Sequence, residues 1–288
     1  MFQKPGVIGA GVMGIGIVTD LVLHGIESVL VDRSEAILER AKAEVVRNVR
    51  FAPMLKKDAP RLQASQVLAK IRLSASLEDV AGCDFIIENV SESWSIKQAV
   101  YLALDRIVAE DVCFAANTSC ISITSIAGLK RRPERVVGAH FMNPVFLKPS
   151  VEVIRGYHTS DQTVADIQAL LAQLGKEAIV VQDMPGFVSN RISHLYMNEA
   201  VFVVQDQVAR PEQVDEIFKK CFGHAMGPLE TADLIGLDTV LASLDVLYDS
   251  HRDPKFRAAP LLRKMVAAGL LGRKSGRGFY PYQTGAPD

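Results

Sequence analysis

The chain has 288 residues, 49% of them apolar and 23% charged, with a formal net charge of -1. That length holds one large domain or two ordinary ones, and the near-neutral balance excludes a bulk affinity for nucleic acid or an anionic membrane, a local basic patch aside. Four cysteines without a CxxC pair or zinc spacing predict a reduced, cytoplasmic chain with no metal site, and no stretch is apolar for long enough to span a bilayer.

In chain order, "GVIG" (6–9) reads as a buried strand, followed by a helix from Val12 with Ile15, Val18, Leu21 and Val22 on one face and Gly25 at its end. "SVLVD" (28–32) is a second strand, and a helix rich in Ala, Glu and Arg runs from Glu35 to Arg50. Residues 51–66 are the least regular part of the first half. Strands follow at 84–89, 112–117, 136–141, 151–154 and 177–183, with helical patterns between the first three and a capped helix ending at Gly175 before the last. This alternation predicts a Rossmann-type α/β fold, a mostly parallel sheet with helices on both faces. After Asp183 the pattern turns helical, with candidates at 187–207, 211–222, 229–250 and 259–269. The expected domains are residues 1–184, a nucleotide-binding domain, and 185–288, an all-helical C-terminal domain ending in a loose tail, "QTGAPD".

"VIGAGVMG" carries a GxGxxG turn between a strand and a helix, and Asp32 ends the next strand 18 residues after Gly14. Gly9 suits the tight turn, Gly11 the close approach of a pyrophosphate and Gly14 the packing of helix on strand, while the helix N-terminus offers unpaired N–H groups. Asp32 can accept both ribose hydroxyls, which favours NAD over NADP; Arg33 beside it keeps a 2'-phosphate in play. Three later stretches are specialised: "NTSCISIT" (117–124), "VVGAHFMNPVFLKPSVEVI" (136–154) and "MPGFVSNRI" (184–192). If the two ends of the second pair as antiparallel strands about its loop, His140 faces Glu152, and a carboxylate beside an imidazole fixes its tautomer and raises its basicity. By itself the pair also fits a core histidine opposite an unrelated glutamate.

Together with "GPLETADLIGLD" and "DPKFRAAPLLRKMVAAGLLGRKSGRGFY", these motifs resemble the 3-hydroxyacyl-CoA dehydrogenase family, especially its short 3-hydroxybutyryl-CoA dehydrogenases, over nearly the whole chain. The resemblance implies NAD-dependent interconversion of a short-chain L-3-hydroxyacyl thioester and its 3-ketoacyl form, in a cleft between the two domains. It implies His140 as the base, Glu152 as its partner, and Ser119 and Asn190 as residues that hold the substrate oxygen or thioester. It further implies cofactor contacts from Asp32, Glu92, Lys97 and Asn143, and a homodimer built on the C-terminal helices. Local alternatives are a helix N-cap for Ser119, a helix bridge for Asn190 and a solvated helix face for Lys97.

Two departures bear on the substrate. The run "IENVSESWSIK" contains Asn89 and the only tryptophan, Trp94, and the loop "FLKPS" displaces Lys148 and adds Pro149 relative to the family's usual pattern; Met142 also replaces a usual aromatic. These variants look similar to a polyketide branch of the family, which acts on hydroxyacyl or glyceryl groups on an acyl carrier protein. Lys56, Lys57 and Arg61 would meet the phosphate of CoA, meet an acidic carrier protein, or simply be solvated, so the carrier stays open. Two other classes are a non-catalytic relative of the lens-crystallin kind and a beta-hydroxyacid dehydrogenase with a catalytic lysine. The presence of Ser119, His140, Glu152 and Asn190 disfavours the first, and the His–Glu pair the second.

Overall fold

The computed structural model describes residues 1–282, so the expected tail at 283–288 lies outside the described residues. The chain divides into two compact units, Met1–Met184 and Pro185–Asp288. In the first unit, β1 (Gly6–Ile8), α1 (Val12–Leu23), β2 (Ser28–Val31), α2 (Glu35–Leu55), α3 (Ala64–Leu68), β3 (Ile71–Ser74), β4 (Phe85–Glu88), α4 (Trp94–Ile107), β5 (Cys113–Ala116), α5 (Ile123–Ala127), β6 (Val136–His140), β7 (Ser150–Arg155), α6 (Asp161–Gln173) and β8 (Glu177–Gln182) follow in order. They build one eight-stranded sheet in the order β3-β2-β1-β4-β5-β6-β7-β8. Every neighbouring pair is parallel except β6 and β7. The strand order reverses at β1 and β4, and ligands of such sheets sit at the carboxyl ends of the strands beside that reversal.

The strands form because their residues are buried on both faces: β1, β2, β4, β5 and β6 are buried throughout, as a central parallel sheet requires. Three sequence expectations need correction here. β3, absent from the predicted strands, is a half-exposed edge whose residues "IRLS" carry no apolar run. α2 does not stop at Arg50 but runs to Leu55: Leu38, Ala41, Val45, Val49 and Ala52 form a buried stripe that carries the helix past Arg50, and Pro53 lies in its last turn. In the second unit, the predicted helix at 229–250 is two helices.

That second unit contains α7 (Ser189–Gln205), α8 (Pro211–Phe222), α9 (Pro228–Ile235), α10 (Leu237–His251) and α11 (Pro260–Ala267). α9 and α10 part at Gly236, which takes φ +103, a left-handed value that costs a residue with a Cβ. The helices enclose their own apolar core, with Met197, Val201, Leu229, Leu237, Leu244 and Leu262 fully or almost fully buried. Buried Asp215 and Asp233 secure it: Asp215 accepts the N–H groups of Leu229 and Glu230 at the start of α9, and Asp233 accepts those of Phe279 and Tyr280.

Candidate active site

The glycine turn joins β1 to α1. Gly9 has φ +97, and a Cβ there would stand 2.7 Å from the carbonyl oxygen of Asn89. At Gly14 a Cβ would lie 1.9 Å from the carbonyl oxygen of Gly9, so this glycine lets α1 close on the strand. Gly11 differs: a Cβ there would meet nothing within 4 Å. The protein's own packing therefore does not require this glycine, and the space over it is open to a ligand. Asp32, at the carboxyl end of β2, accepts the N–H of Ala10 at 3.0 Å through one oxygen and that of Ser34 at 3.2 Å through the other. The turn, the N-terminus of α1 and this carboxylate thus form one cradle, which fits a dinucleotide with a free ribose diol.

At the carboxyl ends of β5 and β6, and in the amino-terminal half of the antiparallel β7, lies a chain of three side chains. β6 and β7 pair so that Gly138 faces Ile154, Ala139 faces Val153 and His140 faces Glu152, the register expected from the sequence. His140 Nδ1 stands 3.0 Å from Glu152 Oε2, with both side chains nearly buried. A carboxylate only accepts, so Nδ1 carries the proton and Nε2 presents its lone pair. Ser119 Oγ lies 3.2 Å from that Nε2. Ser119 is not a helix cap: the N-cap of α5 is Ser122, which accepts the N–H of Ser125.

A serine, an imidazole and a carboxylate in line invite comparison with a serine hydrolase. The surrounding amides oppose it. The N–H groups of Ser119, Cys120 and Ile121 point at Glu92 Oε1, at 3.0, 2.9 and 3.4 Å, and so are not presented to an oxyanion. The relay is arranged to move a proton at Nε2.

Beneath it is a buried network that the sequence reading did not assign. Lys97, placed by the sequence among the cofactor contacts or on a solvated face, is fully buried. It donates to both oxygens of Glu88 at 2.8 and 2.9 Å and to the carbonyl of Asn117 at 3.1 Å, with Glu92 Oε2 at 3.9 Å. Burial pushes the Glu88 carboxyl up, and the Lys97 ammonium pulls the other way. Asn117 donates to the side-chain oxygen of Asn89 at 2.8 Å and accepts the N–H of Phe141 at 3.3 Å, linking the end of β4 to the residue after His140. The signal for this network was present as a glutamate closing an apolar strand, "DFIIEN", and the asparagine of "NTS".

Asn143 is exposed on the loop after β6. That loop is tied down by Lys176, which donates to the carbonyls of Val145 and Lys148 at 2.7 and 2.6 Å and pairs with buried Asp20 of α1 at 3.0 Å. Of the three basic residues singled out for the carrier, Arg61 lines an open pocket of about 600 Å³ between α2 and α3, with Val49, Arg50, Met54 and Leu62. Lys56 caps the end of α2 and Lys57 is exposed beside it; neither lines that pocket. Asn190 lies in the first turn of α7, where its carbonyl is 3.0 Å from His194 Nδ1.

Comparison with known proteins then identifies the group. Residues 4–184 match the family profile of the 3-hydroxyacyl-CoA dehydrogenase NAD binding domain, and residues 186–282 match that of the C-terminal domain of the same family. The chain belongs to the 3-hydroxyacyl-CoA dehydrogenase family. It is 45% identical to a probable 3-hydroxybutyryl-CoA dehydrogenase of Deinococcus radiodurans, over 97% of this chain and 100% of the relative. It is 40% identical to the 3-hydroxybutyryl-CoA dehydrogenase of Bradyrhizobium diazoefficiens, over 100% of this chain and 98% of the relative. The solved structure of (S)-3-hydroxybutyryl-CoA dehydrogenase from Ralstonia eutropha superposes with a TM-score of 0.93 at 43% identity, covering 99% of this chain and 100% of that one. The cofactor of such a chain is NAD, and its class is that of oxidoreductases acting on a CH–OH group. Among the described residues no helix is long and apolar enough to cross a membrane, and no cluster of His, Cys, Asp and Glu has the form of a metal site.

Proposed function

We propose that this protein interconverts an (S)-3-hydroxyacyl thioester and the 3-ketoacyl thioester, with a four-carbon acyl group and CoA as carrier. The observation that carries the reading is the Ser119–His140–Glu152 relay, whose Nε2 is the basic atom. In the oxidative direction His140 takes the proton of the 3-hydroxyl, and Glu152 stabilises the imidazolium that forms. Ser119 and Asn190 hold the reacting oxygen or the neighbouring thioester carbonyl. NAD, which Gly9, Gly11, Gly14 and Asp32 would hold, would supply the hydride acceptor when bound. In reduction His140 Nε2 returns the proton as the new hydroxyl forms.

Residues 1–184 serve in this reading as the NAD-binding domain, with Gly9, Gly11, Gly14 and Asp32 at the adenosine and pyrophosphate half and Asn143 near the nicotinamide. Residues 185–288 serve as the substrate and dimerisation domain. A homodimer accords with the exposed apolar side chains of that unit, among them Ile192, Val208 and Phe222. The apolar pocket rimmed by Arg50 and Arg61 suits a flat base with phosphates at its edge, which favours CoA over a carrier protein.

The test is NADH consumption with acetoacetyl-CoA, run beside the same acyl group on an acyl carrier protein. Turnover of the CoA thioester is expected. Turnover on the carrier protein alone would move the reading to the polyketide branch, and turnover of neither would remove it. Sedimentation at micromolar concentration tests the dimer, which a monomer alone would contradict.

A further inference from the structure

We propose that Glu92 is a positioning residue: a built-in anion that organises the loop after β5 and so holds Ser119 against His140. The inference rests on the reading above for what the relay does, but not for the geometry that motivates it. The resemblance to the family implies Glu92 only as a contact of the cofactor.

The loop at 118–121 has no helix or strand ladder to hold it. Its donors converge instead on one oxygen. Glu92 Oε1 accepts the hydroxyl of Thr118 at 2.5 Å and the N–H groups of Ser119, Cys120 and Ile121 at 3.0, 2.9 and 3.4 Å. Successive N–H groups aimed at one point make a concavity for an anion, and here the protein supplies the anion itself. Thr118 Oγ1 also accepts the N–H of Ile121 at 3.0 Å, closing the loop on itself. The carboxylate is seated in turn: it stands two residues before α4, and Lys97 of that helix, itself locked onto Glu88 and the Asn117 carbonyl, approaches its other oxygen to 3.9 Å.

The consequence for the relay is geometric. Ser119 sits in the middle of the clamped segment, and its Oγ reaches His140 Nε2 at 3.2 Å. Without the carboxylate, three like-oriented N–H dipoles repel one another and the loop opens. A displacement of roughly 1 Å at a group that orients a reacting atom costs on the order of a hundredfold in turnover. The loss belongs in kcat, because the clamped donors are those of the serine loop and not those of the glycine turn.

The experiment is Glu92→Ala with small carboxylates added back. Formate or acetate fits the vacated concavity, so we expect E92A to lose on the order of a hundredfold in kcat and to recover a saturable part of it in formate. The affinity for NADH by isothermal titration should stay within about twofold. Equal concentrations of chloride serve as the ionic-strength control and should restore nothing. Turnover of E92A within about threefold of the parent, a loss confined to NADH affinity, or a loss that no carboxylate relieves would each overturn the proposal. If E92A does not fold, Glu92→Gln, nearly isosteric and uncharged, takes its place: kcat lowered with NADH affinity kept supports the role, and kcat unchanged overturns it.

A crystal structure of the variant gives a readout that needs no turnover. Ser119 Oγ outside hydrogen-bond reach of His140 Nε2 is expected, and an unmoved serine overturns the proposal. A parent protein inactive on acetoacetyl-CoA would remove the functional reading while leaving this structural test in force.

Discussion

Replacing Glu152 by Gln isolates the charge that supports His140. The amide keeps nearly the same shape and can still accept the Nδ1 proton, so the hydrogen bond survives while the negative charge is lost. In the parent the contact is 3.0 Å, with the two side chains 9% and 10% exposed. Unit charges about 4 Å apart at an effective dielectric near 20 attract by about 4 kcal/mol, and that attraction exists only when the imidazole is protonated. Residual solvent and the remaining hydrogen bond return part of it, leaving about 2–3 kcal/mol, or about 30–150-fold in kcat. The assay is the initial rate of NADH consumption at saturating acetoacetyl-CoA, with NADH affinity measured separately and expected to be unchanged. A kcat within about threefold of the parent would refute the idea that Glu152 stabilises the charged imidazole during the reaction.

The glycine turn separates folding from binding. Gly11→Ala should keep or slightly raise the melting temperature while weakening NADH binding at least about tenfold, because its Cβ meets only the ligand's space; an unchanged affinity contradicts this. Gly14→Ala drives a Cβ to 1.9 Å from a backbone oxygen and should lower the melting temperature itself, which thermal denaturation checks. Breaking the fully buried Glu88–Lys97 pair from one side, with Glu88→Gln or Lys97→Met, should cost about 3–5 kcal/mol in urea unfolding, and a loss below about 1 kcal/mol would show that the pair is solvated. Burial pushes the Cys83 thiol up to about 11, and burial with the neighbouring Asp166 carboxylate pushes that of Cys113 up to about 12. A disulfide reagent at about pH 8 should therefore modify exposed Cys221 first and partly exposed Cys120 next, with Cys83 and Cys113 reacting only on unfolding.

The legible parts of this molecule are those where one local rule acts alone. The central strands announced themselves as apolar runs, and the glycine turn lies between β1 and α1, as its spacing required. The antiparallel register that brings His140 to Glu152 followed from treating the two ends of one motif as neighbouring strands. The parts that were not legible depend on tertiary partners. β3 is a strand because β2 beside it offers a ladder; its own apolar–polar alternation, Ile71-Arg72-Leu73-Ser74, is only four residues long and too short to stand out. α2 passes Arg50 because its buried stripe reaches Ala52, and Pro53 falls in the last turn, where it interrupts only the helix end. The break at Gly236 looks in sequence like one glycine within a helical pattern, and only its left-handed backbone distinguishes it. Lys97 shows the same limit at the site. Its spacing from Glu92 was visible, but its burial on Glu88 was not, since that pair joins the end of a strand to a helix nine residues on.

In the proposed reaction His140 Nε2 moves the proton that accompanies hydride transfer. The most direct measurement is the turnover of acetoacetyl-CoA by His140→Ala beside its affinity for NADH. Turnover should fall by on the order of a thousandfold or more while NADH binds as it does to the parent. A variant that binds NADH and still turns over within about tenfold of the parent would contradict it.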